Sequence, residues 1–155
     1  MNVGSPDMQI EFVLHETSRL MRRLYNECYR KVGLNSSKVS TLIYLDRAKE
    51  GMIQTELSEL LEVGKAATGT LVDSLENEGL IVRHHSKQDR RVRILKITEE
   101  GRKLVAEANQ LTADIRQKMR STTTKEERRI AIAVIDKIRT NLKAFQESDS
   151  ANEKQ

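Results

Sequence analysis

The sequence predicts a mainly α-helical protein that carries one small antiparallel β-hairpin. Proline occurs once in the 155 residues, at Pro6, so no later proline interrupts a helix. Apolar residues recur at the spacing of a helix face over most of the chain. Only between residues 80 and 98 does the pattern change to the alternation that is typical of strands.

The composition indicates one domain of ordinary size, residues 1–155, with much exposed surface. Charged residues make up 32% and hydrophobic residues 37% of the chain, while aromatic residues reach only 3% and tryptophan is absent. The core must therefore be built from Leu, Ile, Val and Ala. Because small extended chains bury little surface alone, we expect a second copy of the chain to cover part of the apolar surface.

Two helices are predicted in the N-terminal part of the chain. The first spans residues 8–33 and ends at Gly33. Asn35 suits the N-cap of the second, which runs from Ser36 to about Lys49. The first helix has an apolar stripe formed by Leu14, Met21, Leu24, Cys28 and Val32.

Two shorter helices follow, at Gln54–Leu61 and Lys65–Glu78. No residue just before Gln54 is an obvious cap. Glycine inside a helix costs about 1 kcal/mol relative to alanine, and close approach of another surface would account for Gly69, although a tolerated surface glycine is the simpler alternative. The side chains expected to point inward are Leu57, Leu60, Leu61, Leu71, Val72 and Leu75. The outward side of the second helix carries Lys65, Ala66, Gly69 and Thr70.

The β-hairpin is predicted from two alternating runs, Leu80–His85 and Val92–Ile97, joined by the polar turn "SKQDR". Between Arg83 and Lys96 there are six Lys or Arg residues and one acid, whereas residues 54–79 hold six acids and one lysine. Positive charge is therefore concentrated in the hairpin.

The C-terminal part is predicted to form two long helices. Thr98 is a suitable N-cap, and the acids after it favour a helix start, so we expect one helix to continue from there to about residue 120. A second helix should span Lys125–Phe145. The polar residues 147–155 are expected to form a disordered tail.

This order of elements is that of a winged helix-turn-helix, residues 36–98. Small side chains on the second short helix would let it enter the major groove of DNA. The hairpin turn, with Lys87, Arg90 and Arg91, would contact phosphates or the minor groove. Asp89 is expected to hold the guanidinium of Arg91 by an ion pair and to cap the turn. The alternative is a charged turn that is exposed to solvent and binds nothing.

Three motifs resemble the MarR (multiple antibiotic resistance repressor) family of regulators. The stretch "DRRVRILKIT" is similar to that family's wing signature, with Ile97 where leucine is usual. The stretch "LVDSLENEGLIVR" resembles the family's passage from the recognition helix into the first wing strand. The stretch "ITEEGRKLV" resembles its entry into the long helix after the wing. The resemblance implies a homodimeric, cytoplasmic regulator that acts as a repressor and binds a pseudo-palindromic operator. It also implies that residues 8–33 and 104–146 are dimerisation helices.

Many members of that family bind small aromatic acids or phenols, which implies a candidate effector pocket here. Arginine beside tyrosine suits an aromatic carboxylate, although ordinary surface and interface roles are the simpler interpretation. Cys28, the only cysteine, lies on the apolar stripe and is expected to be inert. The candidate pocket residues are His15, Arg22, Tyr25 and Tyr44, with Arg19, Arg23 and Tyr29 nearby.

An enzyme is not expected, and neither a metal nor another cofactor is predicted. His84 and His85 point to opposite faces of a strand, and the chain has no glycine-rich phosphate loop. No apolar run is long enough to cross a membrane. The expected partner is double-stranded DNA. The acidic balance of residues 54–79 leaves open one other class, a winged-helix module that binds a protein rather than DNA.

Overall fold

The computed structural model describes residues 4–86, 89 and 91–152. Within them, helices dominate and one small sheet is present, which confirms the predicted fold class. The helices are α1 (Pro6–Tyr29), α2 (Ser36–Arg47), α3 (Gln54–Leu61), α4 (Lys65–Asn77), α5 (Glu99–Leu111), α6 (Ala113–Arg120) and α7 (Lys125–Asn152), and a 3-10 turn follows α1 at Arg30–Val32. The strands are β1 (Met52–Ile53), β2 (Ile81–His85) and β3 (Arg93–Ile97).

The chain divides into two compact units, residues 1–115 and residues 116–155. The core of the first unit lies where α2, α3, α4 and the sheet meet. Its fully buried side chains are mostly the aliphatic ones that the composition required, joined by three threonines, and no aromatic side chain of the described residues is among them. They include Leu42, Leu45, Leu57, Val72, Leu75, Ile81 and Leu95.

The sheet has three strands in the order β1-β3-β2, all antiparallel, so the predicted hairpin gains a third strand. Met52 pairs with Leu95 and Ile53 with Ile94. A strand of two residues is too short to show alternation, which is why the sequence did not reveal it. Gly51 makes the pairing possible, because it adopts φ +83° and a Cβ there would lie 2.5 Å from the carbonyl oxygen of Leu95.

The helix caps follow the sequence closely. The side chain of Asn35 accepts a hydrogen bond from the Lys38 amide at 2.9 Å, as expected of an N-cap. The start of α3, where no cap was evident, is secured from within the helix: the Ile53 amide donates to the Glu56 carboxylate at 3.0 Å. A carboxylate in the first turn also suits the helix dipole.

Three predictions about the helices are wrong. Leu60 is 47% exposed, and Ser58 is buried in its place, donating its hydroxyl to the Val63 carbonyl at 2.7 Å. The helix after Thr98 does not continue to residue 120 but ends at Leu111, and a separate helix, α6, follows at Ala113–Arg120, with buried Thr112 between them. The last helix continues to Asn152 rather than stopping before a disordered tail, since no glycine or proline interrupts it.

Candidate nucleic-acid interface

Helix α4 presents an open face of small residues. Lys65, Ala66 and Thr70 are exposed and Gly69 is half-buried. A Cβ at Gly69 would meet only the Gln54 Nε2 atom, at an ordinary 3.5 Å. The protein's own packing therefore does not require glycine at this position, and alanine would fit.

The inward face of α4 is built from Thr68, Val72 and Leu75, all buried. Leu71, which the sequence placed in this face, is only half-buried. Thr68 was missed because it is polar, yet its hydroxyl donates to the Gly64 carbonyl at 3.2 Å, so its burial leaves no unsatisfied donor. These contacts fix which side of α4 remains open to a partner.

The acids at the end of α4 are paired within the protein. Arg83, on β2, donates from Nη1 to Glu76 and from Nη2 to Asp73. Burial alone would lower the pKa of Arg83, but the hydrogen bonds to these two carboxylates outweigh it and raise the pKa. Arg83 thus belongs to an internal network and does not add to the free positive charge of the hairpin.

Glu78, just after α4, is paired in a similar way. Its Oε1 atom accepts from the ammonium of Lys38 on α2 and from the Ser74 hydroxyl, the latter at 2.7 Å. Burial would raise the pKa of Glu78, but these hydrogen bonds and the charge of Lys38 lower it below its ordinary value. Three of the six acids that made residues 54–79 acidic are therefore paired with Arg83 and Lys38, which leaves one net negative charge in the group.

The tip of the wing, defined as residues 86–92, is closed by backbone bonds. The Ser86 amide donates to the Val92 carbonyl at 2.9 Å, and the Val92 amide donates to the Asp89 carbonyl at 3.0 Å. Lys87 and Arg90, both predicted to contact DNA, lie outside the described residues. Arg91 is exposed, and its guanidinium forms no ion pair with any residue that the structure describes.

Asp89 acts differently from the prediction. Its Oδ1 atom accepts from the backbone amide of Arg91 at 2.8 Å, so it caps the turn as expected, but it does not hold the guanidinium. The short aspartate side chain reaches the amide two residues ahead more easily than the end of a long arginine side chain. The charged group of Arg91 is consequently left available.

The base of the wing is joined to α4 and α5 by Thr98. Its hydroxyl donates to the Gly79 carbonyl at 2.8 Å and accepts from the Gly101 amide at 3.1 Å, while its own amide donates to the Leu80 carbonyl at 3.0 Å. Gly101 is buried here, and a Cβ on it would lie 2.4 Å from the Leu80 carbonyl oxygen. The predicted N-cap is therefore confirmed and also ties three elements together.

The candidate effector residues do not form one site. His15 and Arg22 line a shallow, open groove on the exposed face of α1 together with Ser18 and Arg19. Tyr25 and Tyr44 are half-buried and pack against the hydrophobic core of the first unit instead. Tyr29 is buried, with its ring centroid 5.9 Å from that of Tyr25, whereas Arg23 is exposed and Cys28 is half-buried.

Two kinds of feature are absent from the part of the chain that the structure describes. No cluster of three or more His, Cys, Asp or Glu side chains there could hold a metal ion. Among the same residues, no helix is both long and apolar enough to cross a membrane.

Comparison with known proteins agrees with this geometry. Residues 32–92, from the end of the 3-10 turn before α2 into the wing, match the sequence model of the MarR family. The chain is 23% identical over 138 residues to the uncharacterized HTH-type transcriptional regulator YdgJ of Bacillus subtilis strain 168, which covers 89% of this chain and 82% of that protein. It is 28% identical over 102 residues to the HTH-type transcriptional repressor YetL of the same organism, and this match covers 65% of this chain and 61% of YetL.

A solved structure shows the same fold. The crystal structure of the MepR–DNA complex of S. aureus superposes with a TM-score of 0.78 at 22% identity, covering 89% of this chain and 99% of that one. The segment that forms the helix-turn-helix and the wing is therefore similar to the MarR family of transcriptional regulators, and the chain shares the fold of MepR.

Proposed function

We propose that the protein is a homodimeric repressor that binds a pseudo-palindromic DNA operator in a sequence-specific way and acts in the cytoplasm. One observation carries the proposal: the open face of α4 has small side chains and one lysine, while Asp73, Glu76 and Glu78 beside it are paired internally. A face of this kind suits the major groove, because neither bulk nor unpaired acid opposes approach to phosphate.

The two DNA-contacting elements would have different roles. Lys65, Ala66, Gly69 and Thr70 on α4 would face base edges or nearby phosphates in the major groove. Arg91 would reach a phosphate or the minor groove from the wing, as would Lys87 and Arg90, with Asp89 shaping the turn. Arginine at the wing favours such contacts because its guanidinium binds phosphate bidentately.

Dimer formation is supported by apolar side chains that each unit leaves exposed. In α1, Phe12 is 47% and Val13 58% exposed; in α7, Leu142 is 63% and Phe145 69% exposed. Large exposed apolar surfaces on a protein of this size indicate a binding partner, and a second copy of the chain would cover them. A two-fold dimer would read two half-sites roughly 34–36 Å apart, one turn of DNA.

Two relatives support the DNA-binding and repressor roles. MepR, which shares the fold, was crystallised with DNA, and YetL is a transcriptional repressor. MarR-family regulators are DNA-binding transcription factors and not enzymes, which supports the expectation that this protein is no enzyme.

The deciding experiment is a gel shift followed by footprinting on DNA from around the protein's own gene. We expect a dimer to protect two related half-sites about one helical turn apart, with unrelated DNA of the same length bound much more weakly. Equal affinity for all fragments, or no binding at low salt, would contradict the proposal. The second outcome would favour the alternative, a winged-helix module that binds a protein.

We also propose that an aromatic carboxylate releases the protein from DNA by binding the groove on α1. His15, Ser18, Arg19 and Arg22 offer imidazole, hydroxyl and guanidinium groups on one exposed face of α1. Arg22 is the residue best placed to bind the carboxylate, because Arg19 already pairs with Glu16 at 3.3 Å. Tyr25 and Tyr44 are not assigned to it, since they pack on the core.

Benzoate is a suitable probe for this groove. It should weaken operator binding of the wild-type protein in a saturable way, and Arg22→Ala should abolish the response without changing affinity in its absence. Arg23→Ala is the matched control, because Arg23 is exposed on the same helix but does not line the groove. An identical response of all three proteins would rule the groove out as the effector site.

A further inference from the structure

Arg83 stands between the two elements that are proposed to contact DNA. It lies in the middle of β2, opposite Leu95 of β3, and its side chain is only 16% exposed. Its two terminal nitrogens bind different carboxylates, those of Asp73 and Glu76, which are one turn apart on α4. We propose that Arg83 is a positioning residue that locks the wing and the recognition helix α4 into one fixed geometry for DNA reading; this rests on the proposed function.

The planar guanidinium of Arg83 can hold α4 in only one orientation. Its planar fork binds two acceptors at fixed angles, so holding both Asp73 and Glu76 fixes the rotation of α4 about its axis relative to β2. A lysine at position 83 would offer one flexible point charge and could not define that angle. The Ala66 and Thr70 positions on the open face turn with the same helix, so their direction depends on this contact.

A second contact holds α4 from the other side. Lys38 of α2, whose side chain is also only 16% exposed, binds Glu78 just beyond the end of α4, and the Ser74 hydroxyl joins the same carboxylate. Asp73, Glu76 and Glu78 therefore each bind a basic side chain of another element, Arg83 of β2 or Lys38 of α2. Acids near a DNA-reading surface are otherwise unfavourable, and the positioning role explains why this helix carries them.

Electrostatics and positioning predict opposite results when these acids are neutralised. Removing negative charge beside a DNA-binding surface should by itself tighten binding. If instead the acids hold α4 through Arg83, then removing them should weaken operator binding, because the wing and α4 no longer share one geometry. The sign of the change therefore separates the two accounts.

The test uses the full-length protein with Asp73→Ala and Glu76→Ala combined, so that Arg83 stays in place and loses both of its acceptors. Glu59→Ala is the matched control, since Glu59 is exposed on α3 and its carboxylate forms no ion pair with any residue that the structure describes. We expect the double variant to lose about tenfold in operator affinity, while its affinity for unrelated DNA stays equal or rises. The control should bind both DNAs at least as tightly as the wild-type protein.

Hydrogen exchange provides a readout that does not need DNA. In the double variant, amides of β2 and of the last turn of α4 should exchange faster than in Glu59→Ala, while those of α2 near Leu42 and Leu45 remain protected. Operator affinity that is unchanged or higher, or unchanged exchange in β2 and α4, would overturn the positioning role. If the wild-type protein binds no DNA at all, the proposed function fails, and the exchange comparison still decides whether Arg83 couples the two elements.

Discussion

At the scale of single residues, two side chains of the wing, Asp89 and Arg91, have different roles. Asp89 accepts the Arg91 amide at 2.8 Å and shapes the turn, which leaves the Arg91 guanidinium free of ion pairs with the described residues. The sequence indicated that both residues matter here, but it could not show which atoms of Arg91 the carboxylate would bind. That choice depends on the path of the turn, which closes through the amides of Ser86 and Val92.

Replacing Arg91 by alanine should therefore remove a DNA contact without loosening the turn. We expect operator affinity to fall about 10- to 100-fold, as for the loss of a charge-assisted hydrogen bond, and the salt slope of log K to fall by about one. Fluorescence anisotropy over a range of salt concentrations measures both quantities. Lys103→Ala, which removes one positive charge from exposed α5, is the control; equal losses for both variants would argue for a general charge effect.

Glu78 should make folding stability depend on acid pH. Because its pKa in the folded protein lies below the ordinary 4.5, the unfolded chain binds its proton more readily. The stabilisation is therefore complete above pH 4.5 and is lost as the pH falls through the folded-state pKa. Urea unfolding should show a stability difference between wild type and Glu78→Gln at pH 7 that shrinks below pH 4.5; a difference that does not depend on pH would contradict this.

At the scale of elements, two helix glycines are expected to respond in opposite ways to alanine. A Cβ at Gly101 would lie 2.4 Å from the backbone oxygen of Leu80, so Gly101→Ala must push α5 away from the wing and should destabilise the fold by about 1–3 kcal/mol. At Gly69 the nearest atom is 3.5 Å away, so alanine should stabilise α4 by up to about 1 kcal/mol. Thermal unfolding compares both variants with the wild type.

Gly69→Ala also tests the role of the open face. If DNA approaches α4 as closely as proposed, the stabilised variant should bind the operator more weakly, and improved binding would argue against close contact at this position. The two glycines cannot be distinguished from the sequence, since both lie inside predicted helices. Only the neighbour separates them: a backbone carbonyl at 2.4 Å from the added Cβ at Gly101, and a glutamine side chain at an ordinary 3.5 Å at Gly69.

Helices, strands and caps were predictable where residues close in sequence determine them. The caps at Asn35 and Thr98 and the two strands of the hairpin follow from neighbouring residues and are confirmed. Strand β1 and the pairing of Arg83 with α4 depend on contacts between distant segments, so no local pattern of residues indicates them. Arg83 is one of the six basic residues that make the predicted hairpin positive, although its guanidinium pairs with Asp73 and Glu76.

At the scale of the whole molecule, each unit carries apolar side chains that its own fold does not bury. If a second copy covers those of α7, Phe145→Glu should shift the protein from dimer to monomer, because a carboxylate cannot be buried there without a partner. Sedimentation velocity at micromolar concentration measures the change. Lys143→Glu, an exposed charge reversal two residues away, is the control; a dimer that persists in Phe145→Glu would place the interface elsewhere.

The backbone bond from Asp89 to Arg91 has a consequence for how such a protein can change. Because the turn is held through a main-chain amide that every residue except proline possesses, the side chain at position 91 can be exchanged without remodelling the loop. Mutation can therefore alter what the wing contacts while the aspartate preserves its shape. The same arrangement offers a site where new DNA preferences can be engineered one residue at a time.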